Sequence, residues 1–171
     1  VYSMIKVMIA DDNLDLNNLC CNILSKDKDI QIISSTLDGE TTLKDYMQLK
    51  PDVLLLDLDL PKMNGIDIIN NICLDEFEKK KNNIIIISGN TELRYNLFNT
   101  SKIFRIMPKP VDFNDVISTI KEIATENNYI PIVEKEIRNF LFSLNFNLYA
   151  DGTRYLIDAI KLGSENIRLV R

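Results

Sequence analysis

The chain has 171 residues, enough for one domain of ordinary size with a remainder, or for two small ones. Its net charge of −5 and pI near 4.8 argue against whole-chain electrostatic binding to nucleic acid. The absence of histidine excludes a His-based triad, a His general base and a phosphohistidine in this chain, and Cys20, Cys21 and Cys73 form neither a disulfide framework nor a zinc pattern.

Taken in order, Ile5 to Ala10 is a short apolar strand pattern that runs into Asp11-Asp12-Asn13. Asn13 is a suitable N-cap for a helix marked by Leu16, Leu19, Cys20, Ile23 and Leu24. Ile30 to Ser35 reads as strand two, Asp38-Gly39 as a turn, and Leu43, Met47 and Leu49 as a helix that stops before Pro51. Val53 to Leu56 is apolar without alternation, the pattern of a strand buried on both faces, and it ends at Asp57. Pro61 and Gly65 break the chain before a third helix over Ile66 to Phe77. Ile84 to Ile87 is strand four, ending at Ser88-Gly89; a short polar helix follows over Thr91 to Ser101. Ile103 to Met107 is strand five, ending at Pro108-Lys109-Pro110, with a fifth helix over Val111 to Ala124. The cysteines fall in helical patterns, as small core or boundary residues of a reducing cytoplasm. No apolar run approaches about 18 residues and no signal peptide precedes the first strand, so the expected location is cytoplasmic.

Strands alternating with helices in this way predict an α/β fold, a doubly wound parallel sheet with helices on both faces. Periodicity then lapses after Glu126, and residues 128–133 read as a linker. Residues 134–171 form an all-α segment with two amphipathic helices, over Glu134 to Phe146 and Thr153 to Leu162.

Every notable polar residue falls at the carboxyl end of a strand: Asp11 and Asp12, Asp57 and Asp59, Ser88, and Lys109. In a parallel sheet these ends share one edge, where ligands of open α/β sheets bind. A carboxylate such as Asp57 at that edge can bind a metal, act as a nucleophile, or cap a turn. Several carboxylates together repel one another unless a divalent cation joins them, and oxygen-only ligands suit Mg²⁺. Lys109 adds a point charge for a phosphoryl oxygen, and Ser88 a hydrogen-bond donor.

The order Asp11-Asp12, Asp57, Ser88, Lys109-Pro110, with Pro61, Met63 and Gly65 after Asp57, resembles the receiver domain of two-component response regulators, over residues 4–127. The resemblance implies a flavodoxin-like five-stranded sheet of order 2-1-3-4-5. It implies Asp57 as phosphoacceptor for a sensor histidine kinase or phosphotransfer protein. It implies Asp12 and Asp57 as Mg²⁺ ligands, Asp11 acting through metal-bound water and Asp59 through its backbone carbonyl. Ser88 becomes the switch hydroxyl, Lys109 the phosphate-sensing cation, and Lys109-Pro110 a cis peptide. Such a chain assists its own phosphorylation and dephosphorylation without being primarily an enzyme, and pairs with a second copy when phosphorylated. Two positions depart from the pattern: Ile106 replaces the usual switch aromatic, with Phe104 one strand repeat earlier, and Pro108 directly precedes Lys109. The coupling is then expected to run through the backbone of Ser88 to Thr91 and the fourth helix.

The stretch from Asn145 through Asp151-Gly152-Thr153-Arg154-Tyr155 to Ile160 resembles the opening of the DNA-binding effector domain of the stage-zero sporulation regulator A family. That resemblance implies transcriptional control of sporulation or a related programme, with DNA contacted only through effector residues beyond Arg171. From Glu134 onward six basic and five acidic residues leave no basic groove. Competing readings are a Mg²⁺-dependent phosphohydrolase of haloacid dehalogenase type, from Asp57-Leu58-Asp59, and an unphosphorylated docking pseudo-receiver. Pro61 in place of the hydrolase's usual Thr, and the position of the motif on the third strand, weigh against the first; the intact acidic pair, Asp57 and Lys109 weigh against the second.

Overall fold

The computed structural model describes residues 4–73, 83–89 and 102–126. The helix expected over Thr91 to Ser101, the linker 128–133 and the segment 134–171 lie outside the described residues.

The most apolar runs form the central strands, which are covered from both sides, and the two edge strands are less buried. Ile5–Ala10 (β1), Ile30–Thr36 (β2), Val53–Leu56 (β3), Ile84–Ser88 (β4) and Ile103–Pro108 (β5) make one parallel sheet of order β2-β1-β3-β4-β5. This is the flavodoxin-like order. Every residue of β3 and β4 is buried, which is why neither alternates in sequence.

The helices Leu14–Leu24 (α1), Gly39–Leu49 (α2) and Gly65–Cys73 (α3) are joined by a fourth over 113–126 (α4). Successive residues of the central strands feed two separate cores. Val7, Ile9, Val53, Leu55, Ile85 and Ile87 pack with Cys20 and Leu24 of α1 and with Val116, Ile120 and Ile123 of α4. Met8, Ala10, Leu54, Leu56, Ile84 and Ile86 pack with Tyr46 of α2 and with Ile68, Ile69 and Ile72 of α3. Helices thus cover both faces, as a doubly wound sheet requires. None of the described helices is long and apolar enough to cross a membrane.

Local chemistry sets the helix ends. The Asn13 side chain accepts from the Asp15 and Leu16 N–H groups, the N-cap read from the sequence. Asp38 is not a free turn residue: its carboxylate accepts from Thr41 N and caps α2, so Gly39 is already helical. Lys50 closes α2 in the left-handed region at φ 46°.

Several side chains depart from the core read by periodicity. Leu19 and Leu49 are exposed, and Cys73 lies on the solvent side of α3, one helical step beyond buried Ile72. On α2 the large side chain that is buried is Tyr46, with Leu43 and Met47 only half-buried. The fifth strand also departs from simple alternation. Its register with β4 shifts between Ile84↔Ile103 and Ile85↔Arg105, which skips Phe104. Phe104 consequently packs with the α1/α4 core while Ile106 packs with the α2/α3 core. Phe104 therefore does not stand in for a ring at position 106.

One polar pair is sealed in the α2/α3 side. Tyr46 and Asn83 are 1% and 0% exposed, and the Tyr46 hydroxyl lies 3.1 Å from Asn83 Oδ1 and 2.9 Å from Nδ2. This pair ties α2 to the entrance of β4, since the Asn83 carbonyl also accepts from Leu54 N. Tyr46→Phe keeps the ring but strips the amide of a buried partner. It should cost about 1–3 kcal/mol of unfolding free energy in chemical denaturation. Combining it with Asn83→Leu should recover part of that loss; a Tyr46→Phe protein as stable as the wild type would show the pair to be idle.

Candidate functional site

Parallel pairing brings the carboxyl ends of β1, β3, β4 and β5 to one edge, and the polar residues expected there assemble around an ammonium group. Asp57 directly follows β3. Its backbone N–H donates to Ala10 O at 2.9 Å, so the β1–β3 ladder runs up to Asp57 itself. Asp11 directly follows β1, its N–H donating to Thr36 O at 3.2 Å. Both aspartates are 5% exposed, while Asp12 is exposed.

Lys109 reaches both buried carboxylates. Its Nζ donates to Asp11 Oδ2 at 2.7 Å and to Asp57 Oδ2 at 2.5 Å. The remaining oxygens take backbone donors: Asp11 Oδ1 accepts from Asn13 N at 2.9 Å, and Asp57 Oδ1 from Asp59 N at 3.2 Å. Burial, the largest single influence on the Lys109 ammonium, pulls its pKa down. The hydrogen bonds and charges of Asp11 and Asp57 together outweigh it, and the net shift is upward from 10.5.

Ligand oxygens of Asp11, Asp12 and Asp57 all lie within 4.8 Å of one another. Three carboxylates at that spacing, with no nitrogen or sulfur among them, form an oxygen-only donor set that one small hard cation fits. The Asp59 side chain stands outside this group: it is exposed, and Asp59 meets the site through its own N–H, which donates to Asp57 Oδ1. Ser88 ends β4 at the same edge, fully buried, and its carbonyl accepts from Lys109 N at 3.2 Å. Lys109-Pro110 is cis, as the sequence motif implied.

The loop between β3 and α3 is held by close backbone approach. Gly65 N donates to Leu58 O at 2.9 Å. A Cβ at Gly65 would fall 2.7 Å from Asp57 O and 2.8 Å from Leu58 Cα, so only glycine lets α3 start this near Asp57. Lys62, read from sequence as a solvated surface residue, is 56% exposed in its side chain yet pairs with Asp38 at 3.1 Å and adopts a left-handed φ of 66°. Cys20 lies near the site within the α1/α4 core. Burial above all, and then the nearby Asp11 charge, pushes its thiol up to about 11, which keeps it protonated and out of nucleophilic chemistry. Sequence reading missed Asn17 of α1, which is 1% exposed and bonds the Asp11 carbonyl. The signal was available: a lone amide on the same helical face as Cys20 and Leu24.

Because the folded pKa of Lys109 is raised, its contribution to stability is fully present below 10.5 and is lost as pH rises through the folded value. The stability gap between wild type and Lys109→Met should therefore stay level from neutral pH to near 10.5 and close only above it. Denaturant titrations at stepped pH measure this, and a gap already closing between pH 8 and 9 would contradict an ammonium held by both carboxylates.

The comparisons with known proteins agree with this geometry. The response regulator receiver domain family matches residues 7–121. Among curated proteins, the chain is 35% identical over 89 residues to a protein-glutamate methylesterase/protein-glutamine glutaminase of Bacillus subtilis (strain 168), covering 52% of this chain and 24% of that protein. It is 34% identical over 68 residues to the corresponding Clostridium acetobutylicum protein, covering 40% of this chain and 20% of that one. The chain thus spans no more than a quarter of the length of these relatives. Among solved structures, a CheY-like receiver domain protein of Methanospirillum hungatei JF-1 superposes with a TM-score of 0.65 at 20% identity, over 74% of this chain and 98% of that one. The CheX–CheY–BeF3–Mg complex of Borrelia burgdorferi gives a TM-score of 0.60 at 27% identity, over 70% of this chain and 88% of that chain. The chain belongs to the response regulator receiver domain family.

Proposed function

We propose that this receiver is a cytoplasmic phosphorylation switch in which Asp57 accepts a phosphoryl group from a histidine kinase or a phosphotransfer protein. The observation that carries this reading is Lys109 Nζ lying 2.5 Å from Asp57 Oδ2, inside the Asp11–Asp12–Asp57 cluster. An Asp57 carboxylate oxygen attacks phosphorus; the donor's P–N bond breaks, and its electron pair leaves with the imidazole. The product is a mixed carboxylic–phosphoric anhydride on Asp57. Asp11, Asp12 and Asp57, joined by the Asp59 backbone carbonyl, would hold Mg²⁺, which when bound offsets negative charge on the phosphoryl oxygens and the carboxylates. Lys109 already sits against Asp57 and pairs with one phosphoryl oxygen, and Ser88 donates its hydroxyl to another. The wall of apolar side chains below the edge, from Ile9, Leu55 and Ile87, limits water from beneath the acceptor. The presence of BeF3 and Mg in the Borrelia CheY complex supports the same chemistry here.

The chain acts as a stoichiometric acceptor rather than as a turnover enzyme. Its output is read from the tail: residues 145–160 resemble the start of a sporulation-type DNA-binding effector, which supports transcriptional control as the downstream event. Phosphorylation promotes pairing of two copies.

Incubation with acetyl phosphate and Mg²⁺ should add the mass of one phosphoryl group to the wild-type chain, located at Asp57. Asp57→Ala should remove the label entirely. Labelling that survives in that variant would overturn the acceptor, and steady multiple-turnover release of phosphate would favour a hydrolase.

A further inference from the structure

Asn17 is a neutral amide sealed among apolar groups, at 1% exposure. Burying an amide costs free energy unless its hydrogen-bonding groups are satisfied, and here they are. Both Nδ2 protons are used: one on Asp11 O at 3.1 Å, the other on Thr36 O at 2.9 Å. Oδ1 accepts from the Ser35 hydroxyl and, at 3.8 Å, from the Cys21 thiol. These partners fix the amide orientation, since the reversed amide would face oxygen against two carbonyls. Thr36 O also takes the Asp11 N–H, so the Asp11 backbone is held on both sides, its N–H on Thr36 and its C=O on Asn17.

The Asp11 carbonyl belongs to the peptide that joins Asp11 to Asp12. That unit is planar, so fixing its oxygen fixes the plane from which Asp12 departs. The Asp11 carboxylate has its own restraints, from Asn13 N and Lys109. Asp12 has none: it is exposed, and its carboxylate makes no hydrogen bond or ion pair among the described residues. Yet its oxygen stands within 4.8 Å of those of Asp11 and Asp57. The backbone alone aims it there.

We infer that Asn17 is a positioning residue for the acidic cluster, aiming Asp12 at the cation through the Asp11–Asp12 peptide. It touches neither the cation nor the phosphoryl group. A primary amide suits the task because it offers two donors and an acceptor without charge, beside carboxylates that a charged group would disturb. Leucine of similar size would leave the two carbonyls without those donors and free the peptide to tilt. This inference rests on the reading of the site as a Mg²⁺-assisted phosphoacceptor.

The test is Mg²⁺ titration of the full chain followed by NMR or calorimetry, with thermal unfolding measured in parallel. The proteins compared are wild type, Asn17→Leu, Asn17→Gln and Thr42→Val. Thr42 is buried in a neighbouring hydroxyl pair with Thr36 and does not bond Asp11, so Thr42→Val reports the effect of lost stability alone. Asn17→Leu should weaken Mg²⁺ binding by about tenfold, the scale seen when the partner orienting a metal ligand is removed. Asn17→Gln keeps the primary amide but moves it by one methylene, so it should bind Mg²⁺ more tightly than Asn17→Leu yet measurably more weakly than the wild type, and it carries the test if Asn17→Leu does not fold. Thr42→Val should bind as the wild type does, although it melts earlier. Unchanged affinity in a folded Asn17→Leu, or a Gln variant that unfolds earlier with no affinity change, would make Asn17 merely structural and overturn the inference. A wild-type chain that takes up no Mg²⁺ would instead overturn the reading of the site, and the inference with it.

Discussion

The ammonium of Lys109, shared between two nearly buried carboxylates, is the constraint on which the carboxyl edge of the sheet depends. Asp11 and Asp57 are each 5% exposed and stand beside a third carboxylate. Without a cation, burial and mutual repulsion would both oppose their charge. The ends of β1 and β3 carry the aspartates, and the cation is supplied from another strand. It comes from β5, two strands from β3 and so about 10 Å away at ordinary strand spacing. A long flexible stem with a compact terminal charge spans such a gap; a planar guanidinium would not sit between two separate carboxylate oxygens as readily. The tip of β5 is shaped accordingly, with the Lys109 N–H on the Ser88 carbonyl and a cis bond to Pro110.

A second constraint holds the loop after β3, and it is one of room rather than charge. Gly65 brings the first turn of α3 against the backbone of Asp57 and Leu58. Gly39 plays the same part at α2, where a Cβ would lie 1.8 Å from the Met63 carbonyl oxygen. The Gly39 N–H donates to Pro61 O, and the Lys62–Asp38 pair closes over the same contact. The loop that presents Asp59 is thereby tied to two helices. The surface ion pair adds little to this, given its exposure; the backbone contacts carry it.

These two constraints explain what was legible in the sequence. Strands β1, β3 and β4 were visible because burial on both faces leaves runs of Val, Leu and Ile with no alternation. The site was visible because a parallel sheet turns strand ends into neighbours, so Asp11, Asp57 and Lys109 could be grouped before any distance was known. Asn17, Tyr46 and Asn83 were not visible in the same way. A buried polar side chain has no period, and its partners come from distant strands: Tyr46 meets Asn83 across 37 residues, and Asn17 meets Thr36 across 19. The exposure of Leu19, Leu49 and Cys73 was hidden for the opposite reason, since periodicity marks an apolar stripe without giving its width. Phe104 was hidden by a register shift, which no residue in β5 announces.

That shift bears on how a change at the site travels. In a regular β5, residues 104 and 106 would share a face, and a ring at one could serve the other. The skipped residue separates them: Phe104 joins the α1/α4 core and Ile106 the α2/α3 core. The face of β5 beside Ile106 therefore has no ring from Phe104 to turn inward, and a β-branched side chain has few rotamers to exchange. Ser88 is fully buried and linked to β5 through the ladder, paired with Pro108 and accepting from the Lys109 N–H. Pro108 contributes no backbone donor, so this last link falls to Lys109. The residue that contacts the Asp57 carboxylate by its ammonium is then the same one that joins the ends of β4 and β5 by its backbone. A displacement of the Ser88 main chain would therefore be passed to β5 through the Lys109 backbone.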